Sequence, residues 1–455
     1  MTSPSREPVA RFSALLPILL FLLVFLGSGI YYTLQGTEFA FYQLKAPVAA
    51  LPAIVLAVVL AIVGQRKSLN QTIERFLEGA AHPNIILMCM VFMLAGAFAS
   101  LSKSIGSVDA TVLFGLQFIP PGLVLPALFA ISAFIAMAMG TSMGTIAACA
   151  PVALGFASAT GIEPTLALGA VISGAMFGDN LSMISDTTIA ATRSQGVTLR
   201  DKFRVNVWVA IPAALITVLV FVLLSQGSHV STPQPASALL MLPYILVFGL
   251  AFTGLHVLAI LTIGIAVAGA FGLWLTPDYS LAAMNAAIYA GFVELFEIML
   301  LSLLIGGLSI LMHDQGGMRW LVQAILGLTQ RLKLAGQRAG ELGIGLLIVV
   351  ANLFVANNVV AIVLAGDVAR DIAVQQGIDL RRSASYLDIF SCVVQGLIPY
   401  GAQILLASAL GKVSPLALTA TTYYCWILGI VAVISIVLQY PRLKSAAILK
   451  PSLNS

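Results

Sequence analysis

The sequence predicts an all-α polytopic membrane protein with two inverted repeats, each containing a re-entrant helical hairpin and a broken transmembrane helix, and about ten full spans. Of the 455 residues, 60% are hydrophobic and 9% are charged, and the mean hydropathy is +1.03. A soluble domain carries about 25% charged residues because its surface faces water. Apolar runs near the roughly 20 residues that cross a bilayer also recur along the chain. Finally, two distant segments share one pattern of polar interruptions.

Ten apolar segments are predicted to cross the membrane completely. They lie at 15–34, 47–64, 84–101, 163–192, 206–225, 239–254, 255–275, 285–312, 384–410 and 417–439. Two further stretches, 122–160 and 341–376, are interrupted near the middle by polar residues, and each is expected to form a hairpin that enters and leaves on one side. The first segment follows Arg6 and Arg11, and no small-residue cleavage site comes after it. An uncleaved span is therefore favoured over a signal peptide.

Basic residues predict the direction of the spans. With the N-terminus inside, the loops at 65–83, 193–205 and 313–340, the mouth of the second hairpin and the C-terminal tail are cytoplasmic. Together with the N-terminus, these segments hold 19 of the 22 Lys and Arg residues, and only Lys45, Lys103 and Lys412 fall outside. This bias is the positive-inside rule. It predicts a bacterial cytoplasmic (inner) membrane protein with both termini cytoplasmic, in which loop residues such as Lys202 and Arg382 determine topology.

An internal repeat organises the chain. Residues 141–192 align without a gap on 357–408, a shift of 216, which places Gly161 on Gly377 and Glu163 on Asp379. The predicted division is then N-terminal spans that could serve as a scaffold (1–83), a first repeat (84–205), connecting spans (206–284), a second repeat (285–412), and a last span with its tail (413–455). Because the two hairpin mouths face opposite sides, the copies are inverted, as in many secondary transporters.

Polar residues interrupt the apolar helices of the first repeat at its hairpin tip and in its last span. The candidate ion- or substrate-binding residues there are Thr141, Ser142, Asp179, Asn180, Ser182, Ser185, Asp186 and Thr187. Hydroxyls, carbonyls and carboxylates are the ligands of a hard cation, and we expect Asp179, Ser182, Ser185 and Asp186 to bind Na⁺. A carboxylate at membrane depth costs about 2.5–3.5 kcal/mol on insertion scales, which favours a functional role. The alternative is that both Asp residues only cap helices.

The second repeat supplies neutral residues at the corresponding places. Asn357 and Asn358 lie at its hairpin tip, and Gln395 and Gln403 lie at its helix break. These amides could complete a cation shell, contact an organic solute, or be buried for packing alone.

Two further carboxylates, Glu294 and Glu297, share one face of the span at 285–312. They are expected either to carry protons or to pair with basic residues near the membrane edge. Asp388, at the start of a span, is a weaker candidate.

The patterns GTSxGT at 140–145 and GDxxSxxSDTT at 178–188 together resemble the NhaC-type Na⁺/H⁺ antiporter family of the ion transporter superfamily. The resemblance implies two inverted hairpin-bearing repeats and commonly a homodimer. It assigns cation binding to Asp179, Ser182, Ser185, Asp186 and Thr187. Antiporters of this family often have Pro where this chain has Met183, and related branches exchange organic acids or carry amino acids.

The leading hypothesis is therefore a Na⁺/H⁺ antiporter, with Na⁺- or H⁺-coupled transport of an amino acid or small organic acid as the alternative. An intramembrane enzyme is disfavoured because no HExxH motif occurs and the four histidines lie at loops or span ends. The expected partners are the lipid bilayer, a small cation or small molecule, and a second copy of the chain. No nucleic acid is expected, nor any cofactor apart from Na⁺ as the transported or coupling ion.

Overall fold

The computed structural model describes residues 9–37, 43–65, 67–225, 237–317, 319–321, 323, 324, 327, 336–441 and 443. These residues form helices and turns, and no strand occurs among them. The prediction of an all-α membrane protein is confirmed. Arg6, Arg66, Lys333 and Arg442, which contributed to the charge argument, lie outside the described residues.

Nineteen α-helices of at least seven residues lie within the described residues. Their bounds are α1 Leu16–Leu34, α2 Ala46–Gln65, α3 Leu69–Ala80, α4 Pro83–Ser104, α5 Ser107–Leu116, α6 Val124–Met139, α7 Ser142–Thr160, α8 Pro164–Leu181, α9 Asp186–Gln195, α10 Leu199–Leu224, α11 Leu242–Ala251, α12 Val257–Leu275, α13 Leu281–Asp314, α14 Gln337–Val355, α15 Asn358–Gln375, α16 Leu380–Gln395, α17 Ala402–Gly411, α18 Pro415–Thr421 and α19 Tyr423–Leu438.

Ten helical segments of the described chain are long and apolar enough to cross a membrane, in agreement with the expected number. Their membership differs from the prediction, because three hairpin arms are among them: Pro121–Met139, Ser142–Thr160 and Gln337–Val355, each of 19 residues. At 1.5 Å per residue such an arm is about 28 Å long, close to the thickness of the hydrocarbon core. The hairpin arms are therefore as long as complete spans.

The segment at 65–83, predicted as a loop, contains the amphipathic helix α3. Ser68 caps this helix by accepting a hydrogen bond from the Gln71 backbone N–H, and the Gln71 side chain accepts from the Ser68 N–H in return. One face of α3 packs on α13, where Phe76 lies against Gly307. Charge counting detected the basic residues of this segment, but it carries no information on helical periodicity.

The last span, predicted as 417–439, is interrupted. α18 and α19 are separated at Thr422, and α17 and α18 are bent by 109°. The Thr422 hydroxyl donates to the carbonyl of Gly396 at 3.0 Å, which ties this interruption to the break of the second repeat. The chain therefore changes direction beside that break.

α4 and α13 cross with their backbones in contact. A Cβ added at Gly96 would lie 2.2 Å from the carbonyl oxygen of Gly291, and a Cβ at Gly291 would lie equally close to the Gly96 carbonyl. Only glycine fits at this crossing, a common way for membrane helices to approach closely.

The two repeats have the same element order and nearly the same boundaries. α9 begins at Asp186 and α17 at Ala402, a difference of 402 − 186 = 216, which is the shift predicted from the sequence. The same shift relates three pairs of residues with left-handed backbone: Gly140 and Ala356, Gly161 and Gly377, and Gly196 and Lys412. Each copy is thus a hairpin followed by a helix that breaks and resumes.

Arg382, predicted as a topology determinant near the cytoplasmic boundary, is buried. It lies in the first turn of α16 and forms an ion pair with Glu341 of α14, with a 2.5 Å contact from Nε to Oε1. Its guanidinium also donates to the hydroxyl of Tyr386 at 2.6 Å and to the carbonyl of Pro441 at 3.0 Å. This residue therefore connects three chain segments inside the protein.

Candidate ion-binding site

Both hairpin tips and both helix breaks line one cavity of about 70 Å³. The lining residues that matter here are Thr141, Ser142, Asp179, Asp186 and Thr187 from the first repeat and Asn357, Asn358, Gln395 and Gln403 from the second. Polar interruptions more than 200 residues apart in the sequence are thus brought together. The cavity is large enough for a small ion with some water.

Asp179, in the last turn of α8, is the buried carboxylate of this cavity, with 3% of its surface exposed. The Ser142 hydroxyl at the first hairpin tip donates to Asp179 Oδ2 at 2.9 Å. On the other side, the Ser185 hydroxyl donates to Asp179 Oδ1, and the hydroxyls of Ser185 and Thr187 are hydrogen-bonded at 2.8 Å. Hydrogen bonds therefore connect four oxygen-bearing side chains, with the Asp179 carboxylate among them.

A hydrogen-bond chain joins this carboxylate to the second repeat. Gln403 Nε2 donates to the Ser142 hydroxyl at 3.2 Å, and Gln395 Nε2 donates to Gln403 Oε1 at 2.7 Å. Gln395 also donates to the carbonyl of Ala356 at the second hairpin tip, at 3.3 Å. Gln395 Oε1 is buried and has no hydrogen-bond partner among the described residues, so it remains available as an acceptor facing this cavity.

Close packing explains why the first hairpin tip lies against the helix break. Gly140 has a left-handed backbone (φ 66°), and a Cβ there would lie 2.9 Å from the carbonyl oxygen of Ile184. Gly178 allows α8 to approach α6, since a Cβ there would lie 2.4 Å from the Ala133 carbonyl oxygen. These glycines hold Ser142 and Asp179 within hydrogen-bonding distance.

Two of the predicted ligands direct their side chains away from the cavity. The Ser182 hydroxyl donates to the carbonyl of Met137 at 2.9 Å and thereby ties the break to α6. Asn180 Nδ2 donates to Asp388 Oδ2 at 2.9 Å. Neither residue lines the cavity, so any contact with a bound ion would have to come from the backbone.

Asp388 belongs to a buried ion pair behind the break. Lys202 Nζ lies 2.6 Å from Asp388 Oδ2, and the two side chains are 1% and 0% exposed. The same ammonium donates to the carbonyl of Asn180 at 2.7 Å and to the hydroxyl of Thr188 at 2.6 Å. Asn206 donates to Asp388 at 3.1 Å.

The prediction that Lys202 is a cytoplasmic loop residue was wrong. α10 begins at Leu199, so Lys202 lies in its first turn and faces the interior. The available signal was the pair of opposite charges, Lys202 and Asp388, each next to an apolar span. Because the two residues are far apart in the sequence, their pairing could not be inferred without the fold.

The remaining candidates lie at the margins of the cavity. Asp186, the first residue of α9, is exposed and lines the cavity opening. Asn357 caps α15, its side-chain oxygen accepting from the Val360 N–H at 3.0 Å, and Asn358 is likewise buried at the tip. Thr141 precedes α7 in an extended conformation.

Glu294 and Glu297 lie elsewhere, at a second cavity. Glu297 pairs with Lys45 at 2.9 Å, and Glu294 lies 3.9 Å from Lys412. These carboxylates were expected either to carry protons or to pair with basic residues, and their contacts in the structure are with basic residues.

The apolar helices of membrane-spanning length define a polytopic membrane protein. They surround a small polar cavity that contains a buried carboxylate. Residues 9–227 match the sequence model of the Na⁺/H⁺ antiporter family. This matched part, just under half of the chain, is therefore similar to a family of antiporters.

Similar proteins carry transporter names. The chain is 29% identical over 192 residues to the Na⁺/H⁺ antiporter NhaC of Alkalihalophilus pseudofirmus, which aligns 42% of this chain with 41% of that protein. It is 25% identical over 369 residues to the arginine/ornithine antiporter ArcD of Halobacterium salinarum, with 72% and 73% aligned. The solved structure of the Alcanivorax borkumensis YdaH transporter aligns with 95% of this chain and 99% of that chain, at a TM-score of 0.42 and 13% identity. The chain thus spans less than half the length of the NhaC relative that it matches.

Proposed function

We propose that this chain is a secondary active transporter that exchanges Na⁺ for H⁺. The observation that supports this most is the buried Asp179 carboxylate, which accepts hydrogen bonds from Ser142 and Ser185 in the cavity between the two repeats. A carboxylate removed from water is stable when it holds a proton or a nearby cation, but not when it is left bare. One such group therefore binds H⁺ and Na⁺ in competition, as exchange requires.

The proposed ligand set for Na⁺ has Asp179 as its charge. Hydroxyl oxygens of Ser142, Ser185 and Thr187 and the acceptor oxygen of Gln395 supply neutral ligands, and Asp186 lies at the opening. Oxygen ligands of this kind replace the hydration shell of a hard cation. Ser182 and Asn180 contribute through the backbone or by holding the break in place.

Alternating access is proposed to come from the paired hairpins. Because each hairpin tip reaches the cavity, movement of one repeat against the other would open the site on one side and close it on the other. The proposed setting is a bacterial inner membrane, with both termini cytoplasmic and a homodimer formed through the N-terminal spans.

Purified protein in proteoliposomes with an internal pH dye tests the proposal. An inward Na⁺ gradient should raise the internal pH through H⁺ efflux, and Asp179→Asn should abolish this response because the variant cannot exchange a proton for a cation. Asp371→Asn removes an exposed carboxylate on α15 and should behave like the wild type. Gel filtration and circular dichroism establish that both variants remain folded.

Parallel assays with added solutes distinguish Na⁺/H⁺ exchange from coupled transport of an amino acid or organic acid. Arginine, ornithine and lactate are added in parallel with Na⁺ alone. A protein that shows no Na⁺-driven pH change, yet takes up Na⁺ only when one of these solutes is present, contradicts Na⁺/H⁺ exchange. A wild-type response in Asp179→Asn contradicts the proposed site.

A further inference from the structure

A second cavity of about 450 Å³, which we call the outer cavity, lies away from the proposed ion site. It is lined by residues of α1, α2, α13, α17 and α18 and by residues next to them, including Lys45, Glu294, Glu297 and Lys412. Its volume falls within the range of small-molecule sites, about 300–1,000 Å³, whereas the cavity at Asp179 is ion-sized. The predicted topology places both Lys45 and Lys412 outside the cytoplasm.

The charges of the outer cavity cancel. Two ammonium groups and two carboxylates line it, while Leu301, Leu405 and Phe25 supply apolar walls. A net-neutral lining gives little advantage to a bare cation or anion, because each would meet equal numbers of like and opposite charges. A solute that carries both charges and an apolar body complements every part of this lining.

The two ion pairs of the outer cavity are not equivalent. Glu297 and Lys45 lie in direct contact at 2.9 Å, but Glu294 and Lys412 are 3.9 Å apart, beyond hydrogen-bonding distance. The Lys412 side chain is 76% exposed and that of Glu294 is 33% exposed. Exposed ion pairs contribute little to stability, so a ligand separates this second pair at little cost.

The backbone conformation of Lys412 is unusual for a lysine. Lys412 has a φ of 51°, the left-handed region that favours glycine. The corresponding residue of the first repeat, 216 positions earlier, is Gly196, with a φ of 68°. Glycine is the usual residue in this conformation at the end of a helix. A lysine held there, with its ammonium at a cavity, indicates that the side chain serves a purpose other than capping.

One helix links the two cavities. Ala402 and Gln403, at the start of α17, line the ion cavity, and Leu405, Ala409 and Lys412 line the outer cavity. Residues 402, 405 and 409 are spaced three and four apart and so share one face of α17, and Lys412 follows directly after the end of this helix. A ligand in the outer cavity therefore contacts the helix that donates Gln403 to the ion site.

We propose that the outer cavity binds a small zwitterion with an apolar side chain, of the neutral amino-acid class. Its ammonium group pairs with Glu294, its carboxylate pairs with Lys412, and its side chain packs on Leu301 and Leu405. Ligand binding at the outer cavity does not depend on the Asp179 carboxylate. A role of that ligand in transport rests on the proposed exchange function.

L-leucine binding to the purified full-length protein, measured by calorimetry in Na⁺-free buffer, tests this proposal. Leucinamide lacks the carboxylate and 4-methylpentanoate lacks the ammonium, and each should bind up to about fivefold more weakly than leucine, as expected for losing one exposed ion pair. Lys412→Gly installs the residue of the first repeat and so should fold normally. It should weaken leucine binding by a similar factor and leave leucinamide binding unchanged.

Glu294→Gln is the reciprocal variant, and it should weaken leucine binding but not that of 4-methylpentanoate. Absence of leucine binding to the wild type overturns the proposal, as does equal weakening of leucine and leucinamide in Lys412→Gly. Asp179→Asn should retain leucine binding while losing Na⁺-driven pH change. If leucine binding fails while that pH change persists in the wild type, the outer-cavity proposal falls and the exchange proposal stands.

Discussion

Individual charges in the interior are satisfied by several partners at once. Lys202 donates to Asn180 and Thr188 in addition to its ion pair with Asp388, and Arg382 combines Glu341 with Tyr386. Buried ions lose their hydration free energy. The attraction between them offsets this loss only when they are in close contact and their remaining hydrogen-bonding groups also have partners. Removing one partner therefore costs much more than removing both.

Lys202→Met should destabilise the protein by about 3–5 kcal/mol, because Asp388 is left charged and unpaired in the interior. The double variant Lys202→Met/Asp388→Leu should recover part of this loss. Lys103→Met, an exposed lysine at the end of α4, is the matched control and should change little. The measurement is the midpoint of thermal unfolding in detergent. Equal midpoints for Lys202→Met and Lys103→Met would contradict this account.

Residue types at the site could be predicted from the sequence, but side-chain directions could not. Asp179 and Thr187 line the cavity and Ser185 binds both of them, whereas Asn180 and Ser182, chosen by the same reasoning, face α16 and α6. Ser182 and Ser185 lie between α8 and α9, where the 3.6-residue period that assigns a face to each position no longer applies, and the direction of Asn180 in the last turn of α8 depends on how that helix packs. Only the packing of neighbouring helices determines where each side chain in the interruption lies.

At the scale of elements, close contact between α6 and α8 positions the buried carboxylate. A Cβ added at Gly174 would lie 2.2 Å from the carbonyl oxygen of Phe129. That contact is with backbone, so a side chain there can be accommodated only if the two helices move apart. Since α8 carries Asp179 and α6 leads to the hairpin tip, such a shift would separate the carboxylate from Ser142.

Gly174→Ala should destabilise the protein by about 1–3 kcal/mol, as overpacking usually does, and should reduce Na⁺-driven pH change in proteoliposomes. Gly249→Ala is the control, because a Cβ at this position on α11 meets nothing within 4 Å. Alanine there should be neutral or stabilise by up to about 1 kcal/mol through its better helix propensity. If Gly174→Ala matched this control in both stability and flux, close packing would not explain the position of Asp179.

The element order was the most predictable level. Gapless alignment of the two repeats anticipated the start of α17 from that of α9, because symmetric copies must place corresponding breaks at corresponding positions. α3 was missed because the argument there relied on charge. The two predicted helical hairpins occur in the fold. Hydropathy alone did not give the length of their arms, because the polar residues at the tip lower the mean hydropathy of the whole hairpin.

Across the whole molecule, the hydrogen-bond chain from Asp179 through Ser142 and Gln403 to Gln395 is the polar connection between the repeats at the proposed site. An ion bound there would stabilise both halves together. A ligand that binds only the folded state stabilises it by about 2.7 kcal/mol at 100 times its dissociation constant.

Na⁺ should therefore raise the unfolding midpoint of the wild type, and Gln403→Leu should weaken apparent Na⁺ affinity by about tenfold through the loss of one to two hydrogen bonds. Gln375→Leu, at the exposed end of α15, should retain the wild-type response. The midpoint is followed over a Na⁺ titration, with choline to hold ionic strength constant. An identical titration in all three proteins would exclude a role for the Gln403 amide.

The backbone contact between Gly96 and Gly291 joins the first long helix of one repeat to the first long helix of the other. Sliding or parting these helices would expose main-chain groups and leave a void that lipid tails fill poorly. We therefore expect α4 and α13 to act as a common pivot, and the proposed rearrangements that admit solvent first from one side and then from the other to take place in the hairpins and interrupted helices arranged around it.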